Sequence, residues 1–170
     1  GTELFGFIPS SSARHLAQLA NPGYSHQYYV DGQFTISDVS LNATGAGAWR
    51  TVLVGSTGAG GAAAGTKGNV FALDVTRPDS FGNASLLWEI GRNTSGSDAY
   101  QDDLGYVLGK PLVVPVLGPG GAPRWVAIFG NGVNSVNGRP VLFVVDIRTG
   151  RMLATLAPAD AAYAGRNGLM

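Results

Sequence analysis

Asp98, Asp102 and Asp103 form the main acidic cluster of the chain. A calcium loop needs oxygen ligands at alternating positions around a central glycine. Counted from Asp98, the third position is Tyr100, the fifth is Asp102, and Asp103 stands where the glycine belongs. The spacing therefore predicts no metal here, and Asp102 or Asp103 is expected to cap the turn before Leu104-Gly105-Tyr106. Asn131, Asn134 and Asn137 recur every third residue without a carboxylate among them and read as turn residues. His15 and His26 have no acid at triad-like spacing, so they read as structural. The chain has no cysteine, which removes disulfides, thiolate metal sites and cysteine nucleophiles. No catalytic set can be assembled from these residues.

Gly58, Gly60 and Ala63 follow a strand-like run and mimic a dinucleotide fingerprint. That motif works only where a helix begins, because the helix N-terminus holds the pyrophosphate. Gly65 and Gly68 intervene before the next apolar run at Val70, so a loop is expected instead. Thr66-Lys67 is not a phosphate-loop ending either, since no GK[ST] order occurs. The sequons at Asn42, Asn83 and Asn93 are at a frequency that chance explains. Trp49, Trp88 and Trp125 are expected to fill the gap between stacked sheets. Asp74 and Asp146 end similar strands and are expected to accept N–H groups from the turn that follows.

The elements that carry these residues read almost entirely as strands. Glu3 to Pro9 reads as a short strand. A helix is expected over about Ala13 to Ala20, capped by Ser10 to Ser12 and carrying Leu16 and Leu19 on one face. Ala157 to Ala164 allows one more helical turn. Gln27 to Val30, the Asp31-Gly32 turn and Phe34 to Val39 carry a hairpin signal. Trp49 to Gly55, Val70 to Val75, Leu86 to Ile90, Leu112 to Leu117, Trp125 to Gly130, Val141 to Ile147 and Met152 to Leu156 complete the strand set. Asn137-Gly138 is a strong hairpin turn between two of them.

The runs VLVG, VAIFG and VLFVV are apolar on both faces. Parallel sheets bury strands that way but need crossover helices, and the connections here are turns or glycine-rich loops. Stacked antiparallel sheets, as in propeller blades, are the other solution. A repeat supports blades. Trp49 and Trp125 lie 76 residues apart, and Asp74 and Asp146 lie 72 apart, each within similar strand sets. The fold class expected is therefore all-β, a partial propeller of about two blades plus flanking strands, with blade repeats near 27–91 and 104–156.

Composition narrows the function. Eleven basic and eleven acidic residues cancel, and charged residues make up 13% of the 170. No basic surplus exists to hold phosphate backbones, which argues against nucleic acid. No apolar run approaches the length of a membrane span.

The stretches ELFGFIP, YSHQYYVDG (24–32), WRTVLVGSTGAGG (49–61), VFALDVTRPD (70–79), LLWEIG (86–91), DDLGY (102–106), WVAIFGNGVNS (125–135) and LFVVDIRTG (142–150) lie in order over nearly the whole chain. Together they resemble the C-terminal propeller of the PilC/PilY proteins, tip-associated adhesins of bacterial type IV pili. The resemblance implies a propeller related to the quinoprotein type, with residues 1–170 as one piece of it. It implies non-enzymatic roles in pilus biogenesis, in balancing extension against retraction, and in adhesion. It implies export through the periplasm and outer membrane to the cell surface or pilus tip. Minor pilins and host-surface ligands are the implied partners. The family's Asp-rich calcium loop is expected just past an NGL motif. The chain reaches Asn167-Gly168-Leu169-Met170, so no cofactor or metal ligand is assigned to it and calcium is expected only beyond Met170. The alternative reading is a propeller fragment of a quinone-cofactor (PQQ-type) dehydrogenase, whose blades carry similar tryptophan-containing motifs. An open two-blade piece is also expected to self-associate.

Overall fold

Short runs rich in valine, isoleucine and phenylalanine, broken by glycine, favour strands joined by turns. The computed structural model, which describes residues 1–13, 15–42, 47–60, 68–91, 102–159 and 168, contains eight such strands. The first sheet holds β1 (Phe34–Ser40), β2 (Trp49–Ser56), β3 (Val70–Asp74) and β4 (Leu86–Ile90) in that order. The second holds β5 (Leu112–Leu117), β6 (Pro123–Gly130), β7 (Leu142–Asp146) and β8 (Met152–Leu156) in that order. Every pairing within them is antiparallel. Both sheets are therefore simple meanders of propeller-blade form. No helix of the described residues is long and apolar enough to cross a membrane.

The registers make the two sheets equivalent. Val52 pairs with Asp74 in the first, and Val126 pairs with Asp146 in the second. A bulge falls between Ala72 and Leu73 in β3, and between Val144 and Val145 in β7. Because side chains alternate along a strand, each sheet has two faces. Val52, Val54, Val70, Ala72 and Trp88 on one sheet join Val113, Ala127, Phe129, Phe143 and Val145 on the other in one buried core. Leu104 and Val107, between the sheets in sequence, complete it.

Several local expectations change in the folded chain. Glu3 to Pro9 forms no strand. Its Phe5 stacks on Phe81 at 4.1 Å and its Phe7 packs on Phe71 at 5.0 Å, so the segment covers the outer side of the first sheet with rings. The expected helix divides into α1 (Ser10–Ala13) and a 3-10 turn, Leu16–Ala20. Leu16 and Leu19 are exposed. The serines do not cap that helix. The Ser10 N–H and hydroxyl both donate to Glu89 Oε1, tying the segment to β4. Of the turn expected over 157–164, residues 160–164 lie outside the described residues.

Gln27 to Val30 is also no strand, and β1 pairs with β2 instead. Asp31 is the reason. Its Oδ1 accepts from the Ala59 and Gly60 N–H groups at 2.9 and 3.2 Å, which turns the chain into the β2–β3 loop. A Cβ at Gly60 would fall 1.9 Å from the Tyr29 carbonyl oxygen, so only glycine permits this approach. The described part of that loop is a turn, while residues 61–67 lie outside the described residues. Asn137-Gly138 lies in the connection between antiparallel β6 and β7, but as part of a long loop over 131–141 rather than a two-residue hairpin.

Candidate functional site: the cleft between the sheets

The sheets meet along β1, β5 and β6, and a cleft of about 260 Å³ opens between them. It is lined by the end of β1, by the β5–β6 turn with the start of β6, and by the β7–β8 turn. Arg124, Trp125, Asp146 and Arg148 are its chemically distinctive residues.

Asp146 organises the β7–β8 turn. Its Oδ1 accepts from Arg148 N–H, Thr149 N–H and the Thr149 hydroxyl at 2.9–3.1 Å. Its Oδ2 takes the Arg124 Nε–H at 2.8 Å. Burial pushes the Asp146 carboxyl up, but hydrogen bonds from Arg124 and Thr149, with the Arg124 charge, outweigh it and leave it below the ordinary carboxylate value. Asp74 repeats the arrangement in the first sheet. Its Oδ1 accepts from the Thr76 N–H and hydroxyl, and its Oδ2 pairs with Arg50 Nε at 3.2 Å. Arg50, Asp74, Thr76 and Arg77 line a matching recess of about 220 Å³.

The tryptophans need correction. Thr51 O accepts from Val75 N, and Trp125 O accepts from Ile147 N, so Trp125 corresponds to Thr51 and not to Trp49. Trp49 is 55% exposed and contacts Trp125 edge-on, with centroids 6.0 Å apart. It touches across the sheets but does not fill a buried gap. Trp125 is half-buried and packs against the core. Trp88 is 7% exposed and donates its indole N–H to Ile147 O of the other sheet at 2.8 Å. Trp88 lies opposite Ala72, and Ala154 lies opposite Val144, so the second sheet has alanine at the equivalent place.

A second polar centre closes the β6–β7 loop. Asn131 Nδ2 donates to the carbonyls of Asp103 and Arg139 at 2.7 and 2.8 Å, and its Oδ1 accepts from Val141 N–H at 3.0 Å. The Arg139 guanidinium reaches both Asp103 carboxylate oxygens at 2.9 and 2.7 Å, and Asn137 Nδ2 donates to Oδ1. Those bonds, Arg139 first, hold the Asp103 carboxyl below its ordinary value against the opposing effect of burial. Asp103 thus binds an arginine across a loop rather than capping the turn beside it, and its oxygens are committed. Asp98 lies outside the described residues. Among the described residues no group of three or more His, Cys, Asp or Glu side chains could hold a metal.

Arg50, Arg124 and Arg139 are site residues that the motifs above do not single out. The signal was present: aligning the repeats on Arg50 and Arg124, rather than on the tryptophans, brings each arginine into step with its aspartate.

Two stacked four-stranded meanders sharing one core define a pair of β-propeller blades. The comparisons with known proteins agree. A family model described as the PilY1 β-propeller domain matches residues 4–168. The chain is 44% identical, over 99% of its length, to a type IV pilus biogenesis factor PilY1 homolog of Xylella fastidiosa. It is 40% identical, over 92% of its length, to type IV pilus biogenesis factor PilY1 of Pseudomonas aeruginosa. The chain spans 11% and 12% of the length of those two relatives. The crystal structure of the P. aeruginosa PilY1 C-terminal domain superimposes with a TM-score of 0.64 and 36% identity, covering 99% of this chain and 28% of that one. This chain belongs to the PilY1 β-propeller family.

Proposed function

We propose that this chain is a non-enzymatic propeller segment of a type IV pilus-associated protein that acts in pilus biogenesis. The observation that carries the reading is the 44% identity, over nearly the whole chain, to a relative named as a pilus biogenesis factor. The finer roles proposed are control of extension against retraction, and adhesion. The place of action proposed is the cell surface or pilus tip, reached by export through the periplasm and outer membrane. Minor pilins and host-surface ligands are the proposed partners. Calcium, where the full-length protein holds it, is proposed to sit past Met170.

Disrupting the blades in the full-length protein tests this. In a piliated bacterium, removal of β5 to β8 is expected to abolish surface pili and attachment. Return of pili when retraction is blocked separates the extension–retraction role from a role in assembly. Normal piliation, motility and attachment would overturn the reading. Titration with the quinone cofactor and calcium tests the enzymatic alternative. No shift in absorbance is expected, and a quinone spectrum with dye reduction would restore that alternative.

A further inference from the structure

We propose that the cleft between the sheets binds one carboxylated sugar unit of an acidic glycan, with Trp125 as stacking surface and Arg148 as the carboxylate partner.

The cleft differs from its sister recess in its aromatic and apolar wall. The pairs Arg50–Asp74 and Arg124–Asp146 occur in both sheets, so blade architecture accounts for them. Trp125 stands where the first sheet has Thr51, while each recess carries one arginine outside its ion pair, Arg148 in the cleft and Arg77 in the other. The repeat does not require the indole, and only in the cleft does such an arginine stand beside one.

The charge balance points to an anion. Arg124 is neutralised by Asp146 at 2.8 Å. Arg148 is exposed, and among the described residues its guanidinium makes no hydrogen bond or ion pair. The cleft lining therefore carries one uncompensated positive charge beside a half-buried indole. A planar guanidinium pairs a carboxylate through two parallel hydrogen bonds.

Shape and lining point to a sugar. Leu41, Pro119, Pro123 and Ile147 give the cleft apolar walls, and Ser40 and Asn42 add polar groups at one end. A pyranose ring needs both: C–H faces that pack on an aromatic surface and hydroxyls that hydrogen-bond at its rim. The volume of about 260 Å³ falls just under the roughly 300–1,000 Å³ of pockets that take drug-sized ligands, so it suits a single ring.

The proposal rests on the surface-adhesion reading above only for the presence of glycans around the protein. Its test is a binding measurement on purified full-length protein, whereas the pilus reading is tested by piliation, so the two can fail separately. Saturation-transfer NMR would use glucuronic acid, N-acetylneuraminic acid, glucose and inorganic phosphate as probes. The acidic sugars are expected to bind saturably, with glucose and phosphate at least about tenfold weaker. Arg148→Ala is expected to weaken acidic-sugar binding about tenfold, with part of it kept in Arg148→Lys. Trp125→Phe, checked for folding by circular dichroism, should weaken acid and neutral sugars alike. Preference for N-acetylneuraminic acid would identify animal-cell glycans as the source, and preference for glucuronic acid a uronate-bearing polysaccharide. No binding, equal binding of glucose or phosphate, or binding unchanged in Arg148→Ala would overturn the proposal.

Discussion

Asn131 shows how much one side chain can hold. It is fully buried, and its amide meets two carbonyls and one N–H from three different positions. Truncation would orphan all three, and each orphaned buried group costs about 1–3 kcal/mol. Asn131→Ala is expected to destabilise the protein by roughly 3 kcal/mol or more, read from the shift in a denaturation midpoint. The tryptophans divide by burial. Trp88→Ala removes a buried ring and its bond to Ile147, and should cost about 3–5 kcal/mol. Trp49 is more than half exposed, so Trp49→Ala should cost about 1 kcal/mol, the scale of one aromatic edge contact. Equal costs for the two would mean that Trp49 is buried in the folded protein.

At the scale of elements, the loops hold the sheets in place. Gly150, in the β7–β8 turn, has φ +67°, and a Cβ there would lie 2.7 Å from Trp88 Cγ of the other sheet. Only glycine allows both the left-handed backbone and the ring behind it. Gly150→Ala is therefore expected to lower the melting temperature by several degrees, as a ~1–2 kcal/mol loss does. It should do so more than Gly120→Ala, where φ is also positive but nothing stands within 4 Å. The acid response belongs to the same loops. Asp103 and Asp146 both have carboxyls held below the ordinary value in the folded chain. Their contribution is fully present above the unfolded value of about 3.9 and is lost as pH falls through the lower folded values. Melting temperature should thus fall as pH drops below about 4, and the fall should be shallower in Asp103→Asn. A pH-independent melting temperature between about 5 and 2 would show that neither pair stabilises the fold.

At the scale of the whole molecule, one pair of equivalent faces has different fates. The side of the first sheet bearing Val52, Val54 and Ala72 is buried by the second sheet. Its equivalent on the second sheet bears Leu112, Ile128, Val144 and Leu156, and Leu112 and Leu156 are exposed. β1 and β4, and β5 and β8, are the edge strands of their sheets. An apolar face with exposed leucines favours association. The 170-residue chain on its own is expected to self-associate in light scattering, and Leu112→Lys with Leu156→Lys should shift it toward monomer. A stable monomer of the unsubstituted chain at high concentration would show that this face tolerates water.

The positions of β1 to β8, the all-β class and the family were legible in the chain, because short apolar runs and glycine turns act within a few residues, whereas the strands expected at Glu3 to Pro9 and Gln27 to Val30 do not form. That Asp74 and Asp146 would face turns was legible for the same reason. What the chain alone did not determine was cross-strand register. Aligning Trp49 with Trp125 is a natural reading of the letters, but hydrogen-bonded pairing puts Thr51 in that place. A two-residue slip keeps each side chain on the same face, so local patterning cannot detect it. The folded chain also decided that ELFGFIP would cover a sheet with Phe5 and Phe7 rather than join one. It brought Arg139 to Asp103 and opened the cleft beside Arg148. These juxtapositions depend on how two sheets stack, and residues that meet across a stack carry no mark of it in their order along the chain.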